Sequence, residues 1–317
     1  MTNPNPTPAP SSTPQAHTRS GIYRTPQGEA VMRNLYEDAR RALNVPTEDS
    51  TIRTRFGDTH ALLLGPQDAP PVVVFQGGNF LNPMTLAWFA PLAAHFRLIA
   101  PDTPGQPGLS AQTRLSGRDD SLGLWALDVL DAFGLDRAAL VGPSHGAAAI
   151  LRLARVAPRR IERAALVMPA GVTAPALWPL IRELAWPMLR YRLRRSNASL
   201  RAAGAPLFTG DPPETWLRVL GAVFDHVSVE ADLPRPATKA ELSAFDARVL
   251  VVAAERDVLF PGAGVLARAA DLLPRGPETL MLPGGHVPDE AGLRRLREVL
   301  GVFLAAGDVR GAQVRRA

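Results

Sequence analysis

The sequence predicts an α/β fold, a mixed and mostly parallel sheet with helices on both faces and an inserted helical cap. Three observations carry that prediction. Six short apolar runs, at residues 72–75, 96–100, 138–141, 164–168, 249–253 and 279–282, are separated by helical stretches. A pair of short segments around Gly57-Asp58 precedes them. One long gap, residues 171–247, splits the fourth run from the fifth.

The first periodic segment is 29–43, where Val31, Met32, Leu35, Tyr36 and Ala39 fall on one side of an amphipathic helix. Residues 51–56 and 59–64 flank Gly57-Asp58 and read as a β-hairpin. The six runs that follow lack polar alternation, which suits strands covered on both faces by crossover helices. Together with the hairpin they predict an eight-stranded sheet with an antiparallel opening. The gap of about 77 residues is far longer than a βα crossover requires. It contains Trp178, Ile181, Leu184, Trp186, Leu189 and Leu193, punctuated by Pro175, Pro179 and Pro187, and reads as a cap of short or kinked helices. The core then comprises residues 21–170 and 248–317. Residues 1–20 hold five prolines and no Leu, Ile, Val or Phe, and read as a disordered tail rather than a secretion signal.

Composition narrows the chemistry. Of 317 residues, 46% are hydrophobic and 21% charged, as in a globular protein. The absence of cysteine removes disulfides, thiolate nucleophiles and cysteine-ligated metal centres. Lys239 is the sole lysine and no GxxxxGK[ST] loop occurs, which excludes a Walker-type phosphate site. Arg or Pro interrupts every apolar stretch before 18 residues, so a soluble, cytoplasmic protein is expected. The formal charge is +5, and the densest basic run, 182–201, holds six arginines against Glu183. It reads as a solvated helix face; an anionic membrane surface is the sharper alternative, and membrane contact is not expected. No nucleic-acid module, metal site or organic cofactor is indicated.

The strongest local signal is Val141-Gly142-Pro143-Ser144-His145-Gly146, a G-x-S-x-G between an apolar strand and an Ala-rich helix at 147–156. A nucleophile on such a turn needs strained backbone angles, close packing by glycines, and amide N–H groups aimed at a developing oxyanion. A serine hydroxyl also needs a base and an orienting acid. Among six histidines, His286 follows Gly284-Gly285 directly after the last strand, where an imidazole can swing over the sheet. His17, His60, His95 and His226 read as tail, hairpin, surface and cap residues, and His145 contributes its backbone N–H. Asp257, in the loop after residues 249–253, is the acid, with Glu255 and Asp102 as rivals. Asp102, in Pro101-Asp102-Thr103-Pro104-Gly105, looks instead like a loop-shaping residue. For the second oxyanion donor, Gln76-Gly77-Gly78-Asn79 offers Gly78 first and Asn79 second.

These residues resemble the alpha/beta-hydrolase superfamily over about residues 22–306, nearest to cap-bearing carboxylesterase-like members. The order Ser144, Asp257, His286 matches the family's triad. Residues 102–110, Gly142 to Gly146, Pro169-Ala170-Gly171 and Gly284-Gly285-His286 match its motifs. The oxyanion loop in such relatives usually begins with His, where this chain has Gln76, whose amide can brace the loop by hydrogen bonds. The resemblance implies a serine hydrolase that cleaves a small-molecule, largely apolar carboxylic ester through an acyl-enzyme. The same triad also serves thioesterases, C–C bond hydrolases and acyltransferases, and a non-catalytic binder of the same fold is the alternative from another class.

Overall fold

The computed structural model describes residues 21–175, 177–230 and 233–306; the expected tail at 1–20 lies outside them. The elements run α1 (Pro26–Arg41), β1 (Thr47–Thr54), β2 (Gly57–Leu64), β3 (Pro71–Val74), α2 (Asn82–Leu86), β4 (Arg97–Pro101), α3 (Ser121–Ala132) and β5 (Ala138–Pro143). Next come α4 (His145–Val156), β6 (Ile161–Val167), α5 (Leu177–Pro179), α6 (Trp186–Arg194), α7 (Asn197–Gly204) and α8 (Glu214–His226). The chain ends with β7 (Arg248–Ala254), α9 (Gly262–Leu272), β8 (Glu278–Leu282) and α10 (Glu290–Ala305).

All eight strands form one sheet in the order β1-β2-β4-β3-β5-β6-β7-β8. The β1–β2 and β2–β4 pairs are antiparallel and the remainder parallel. Alternate side chains along each parallel strand enter different cores, which is why the runs carry no polar alternation. Val72 and Val74 join the layer holding α1 and α10, through Met32, Tyr36, Leu296 and Leu300. Val73 and Phe75 join the opposite layer, with Trp125 of α3, Ile150 of α4 and Val265 of α9.

The hairpin differs from the expectation. β1 begins at Thr47, and Thr54 pairs with Gly57, so the turn is Arg55-Phe56 rather than Gly57-Asp58. Gly57 follows the turn at φ +112°, a left-handed value that favours glycine. β1 is an edge strand with only Thr54 fully buried, so its first residues, Thr47, Glu48, Asp49 and Ser50, carry no apolar signal.

Between β6 and β7 the chain leaves the sheet through α5 to α8. A π-helical turn, Leu180–Ala185, joins α5 to α6. Pro187 has no N–H for the carbonyl four residues back, and the helix widens just before it.

Candidate active site

Ser144 alone makes the turn from β5 into α4, at φ 49° and ψ −112°. Holding a non-glycine residue there costs on the order of 1–3 kcal/mol. The surroundings enforce it: Ser144 N–H donates to Val167 O at 2.8 Å, and its carbonyl accepts from Ala147 N at 3.0 Å and Ala170 N at 3.1 Å. The flanking glycines are contact requirements. A Cβ on Gly142 would lie 2.5 Å from the carbonyl of Gly146, and one on Gly146 would lie 2.8 Å from Phe75 O.

Asp257 and His286 are 29 residues apart, but parallel β7 and β8 bring their loops together, and Arg256 N–H joins them by donating to Gly284 O at 2.7 Å. Asp257 Oδ1 accepts from Leu259 N at 2.8 Å and Phe260 N at 3.1 Å, which fixes the carboxylate. Its Oδ2 meets His286 Nδ1 at 2.7 Å, with both side chains buried. A carboxylate accepts only, so Nδ1 carries the proton and Nε2 is left as the basic nitrogen. His286 and Ser144 line the same cavity; among the described residues no hydrogen bond joins them. Glu255 is exposed, with its backbone N–H on Leu282 O.

Asp102 is fully buried and spent on its own loop. It accepts from Tyr36 Oη at 2.9 Å, Asn82 Nδ2 at 2.8 Å and Leu109 N at 2.7 Å. His60 sits between Asp49, at 2.9 Å, and Asp102, at 3.4 Å. Burial alone would lower its pKa; the two carboxylates outweigh that, and the net shift is upward. His95 is exposed, His226 ends α8 against Gly28 of α1, and His17 lies outside the described residues.

In the loop after β3 the amides of residues 77, 78 and 79 are not equivalent. Asn79 N–H donates to Gln106 Oε1 at 2.7 Å and Gly77 N–H to Thr85 Oγ1 at 3.3 Å. Asn79 is thus corrected as an oxyanion donor, because its N–H is committed within the protein. Among the described residues the N–H groups of Gly78 and His145 have no acceptor, and that of His145 opens α4, where no intrahelical carbonyl reaches it. The two residues touch: a Cβ on Gly78 would lie 3.0 Å from His145 Cβ. Burial pushes the His145 imidazole down to about 4, so it stays neutral near pH 7.

Gln76 is fully buried and braces this loop. Its Nε2 donates to Phe80 O at 2.7 Å and Pro107 O at 2.8 Å, and its Oε1 accepts from Thr103 N at 2.7 Å. Three further residues went unseen in the sequence. Gln106 bridges Asn79 N–H to the Glu230 carboxylate, while the Asn79 amide pairs with Glu230 N at 2.9 Å and O at 3.1 Å. Thr209 Oγ1 accepts from Gly285 N at 2.9 Å, and a Cβ on Gly284, at φ +92°, would overlap it. All three contacts link the α5–α8 segment, or the chain after it, to the loops of the site. No local pattern marks them, because their partners lie 27 to 151 residues away.

Ser144, His145, Gly78 and His286 line a cavity of about 360 Å³ whose other walls are mostly apolar, including Phe80, Trp88, Leu184, Met188 and Trp216. Trp216 packs on Phe80, Trp88 and Phe208 with ring centroids 5.2, 6.5 and 5.5 Å away. The large aromatics of residues 171–247 divide about this cavity. Trp216 and Phe224 line it, whereas Trp178 and Trp186 are 71% and 60% exposed. Among the described residues no group of three or more His, Asp or Glu is placed to hold a metal ion.

A sequence model for the alpha/beta hydrolase fold matches residues 70–211. The chain has the alpha/beta hydrolase fold. Its sequence is similar to carboxylesterase YbfK of Bacillus subtilis, 33% identical over 135 residues, or 43% of this chain and 46% of that protein. It is also similar to the uncharacterized carboxylesterase nap of the same organism, 33% identical over 124 residues, or 39% and 41% of the two chains. The chain thus spans under half the length of either curated relative in these matches. Solved structures agree in fold. Carboxylesterase CesB (YbfK) superposes with a TM-score of 0.72 at 23% identity, covering 89% of this chain and 100% of that one. Naproxen esterase of B. subtilis gives 0.75 at 23%, covering 88% and 99%.

Proposed function

We propose that this alpha/beta-hydrolase-fold protein is a serine carboxylesterase, with Ser144 as nucleophile, His286 as base and Asp257 as the acid that orients it. The observation that carries the reading is the buried 2.7 Å contact between Asp257 Oδ2 and His286 Nδ1, on the wall of the cavity that Ser144 also lines. Similarity to the carboxylesterases YbfK and nap adds support.

In the proposed reaction, His286 Nε2 takes the Ser144 hydroxyl proton as Oγ bonds to the ester carbonyl carbon. The carbonyl π electrons move onto oxygen, and the N–H groups of Gly78 and His145 receive that charge. Collapse of the tetrahedral intermediate breaks the bond to the alcohol oxygen, which leaves with the proton from His286. Water then attacks the acyl-enzyme, giving a proton to His286; the carboxylic acid departs and Ser144 regains its hydrogen. Asp257 keeps the proton on Nδ1 and stabilises the imidazolium at each transfer. Gln76 fits this scheme, since its three hydrogen bonds hold the Gly78 loop.

The segment 171–247 acts, in this reading, as a cap whose inner wall selects the substrate. Walls of Phe80, Trp88, Leu184, Met188 and Trp216 favour an uncharged acyl or alcohol part of small to medium size. A panel of p-nitrophenyl esters of increasing chain length tests the proposal. Turnover that peaks at short to medium chains and disappears in Ser144→Ala supports it. Absence of turnover by folded protein on every ester, or full activity in Ser144→Ala, overturns it.

A further inference from the structure

The helix that runs from α5 through the π turn into α6 is apolar on two sides. Its inner residues, Leu184 and Met188, line the cavity. Its outer face carries Trp178, Ile181, Trp186, Leu189 and Leu193, exposed by 71, 44, 60, 47 and 77%. The extra residue accommodated by the π turn keeps Trp186 and Leu193 on the side that Trp178 occupies. Exposed tryptophans and leucines on one helix face are not the ordinary covering of a water-facing helix.

The charges left unpaired around that face are of one sign. Arg182 pairs with Glu183 at 2.6 Å and Arg195 with Asp225 at 2.7 Å. Arg190, Arg192 and Arg194 are exposed and, among the described residues, have no ion pair. A second copy docking symmetrically here would bring two sets of unpaired arginines together, which disfavours self-association. A surface of negative headgroups over acyl chains complements both the cations and the apolar stripe. No described helix is long and apolar enough to cross a membrane, so the contact is one of lying on the surface.

We propose that this outer face seats the protein on an anionic lipid surface, holding the cavity beside the bilayer. The seating is independent of whether the cavity hydrolyses esters, so vesicle binding is read without turnover. The full chain is sedimented with vesicles of pure phosphatidylglycerol, and separately of pure phosphatidylcholine, at low salt. The expected result is co-sedimentation with phosphatidylglycerol alone, with a blue shift of tryptophan emission and release by added salt. Each interfacial arginine contributes roughly fivefold to the partition, so Arg190→Gln with Arg192→Gln and Arg194→Gln lowers it on the order of a hundredfold. Trp178→Ser with Trp186→Ser and Leu193→Ser abolishes it. None of these six residues lines the cavity, so turnover of a soluble ester stays at the parent rate in both variants. Protein that stays in solution with phosphatidylglycerol overturns the proposal, as does binding that survives both triple variants. A dimer in sedimentation velocity that the Trp–Leu variant splits, without vesicle binding, assigns the face to a second copy instead.

Discussion

Gln76→Glu changes one atom of a buried side chain and inverts its hydrogen bonding. Nε2 donates to two carbonyls, Phe80 O at 2.7 Å and Pro107 O at 2.8 Å, and an ionised Glu would set a negative oxygen against both. The acid therefore takes up a proton, donates to one carbonyl and leaves the other unpaired. An unsatisfied buried acceptor costs about 1–3 kcal/mol. Keeping a carboxyl protonated at pH 7, against an unfolded pKa of about 4.3, costs up to about 4 kcal/mol more at 1.36 kcal/mol per pH unit. A glutamate whose folded pKa is raised loses stability as pH climbs above the unfolded value, until the folded pKa is reached. Gln76→Glu should thus be destabilised by about 5 kcal/mol at pH 7 and about 2 kcal/mol at pH 4.5. Near pH 7 that corresponds to a Tm lower by about 10 °C or more. Urea denaturation of both proteins at the two pH values measures the gap. A gap under 1 kcal/mol at pH 7, or one that does not widen with pH, refutes the bracing role of Gln76.

Three further outcomes follow from the same geometry. Gly142→Ala forces a methyl to 2.5 Å from the Gly146 carbonyl, and overpacking against backbone should cost at least about 2 kcal/mol in denaturant midpoints; an unchanged midpoint contradicts this. Asp257→Asn should cut ester turnover on the order of 10⁴-fold, while exposed Glu255→Gln leaves it within about twofold; the reverse order in steady-state kinetics moves the acid to Glu255. His145, neutral with its pKa lowered by burial to about 4, destabilises the fold as pH falls from about 6.5 toward that value. The loss approaches about 3 kcal/mol, and His145→Gln should lack that part of the acid sensitivity in urea titrations at pH 7 and 4.5.

Much of the site was readable because its parts are local. The strained turn at Ser144 needs Gly142 and Gly146 for contacts inside one strand–turn–helix unit, so a five-residue pattern records it. The sheet was equally legible, since strands buried on both faces leave uninterrupted apolar runs. Illegible features depend on distant partners. Nothing near Asn79 signals that Gln106 takes its N–H, and nothing near Gly284 signals Thr209. The start of β1 was missed because an edge strand needs no apolar residues. The outward turn of Trp178 and Trp186 was hidden because composition counts aromatics without fixing the face they occupy.

The most direct measurement is labelling with a fluorophosphonate followed by intact-mass and peptide analysis. The proposed activation of Ser144 by the buried His286–Asp257 pair predicts one adduct, on Ser144, absent from Ser144→Ala and strongly slowed in His286→Ala. Folded protein that stays unlabelled, or that labels at the same rate without His286, contradicts it.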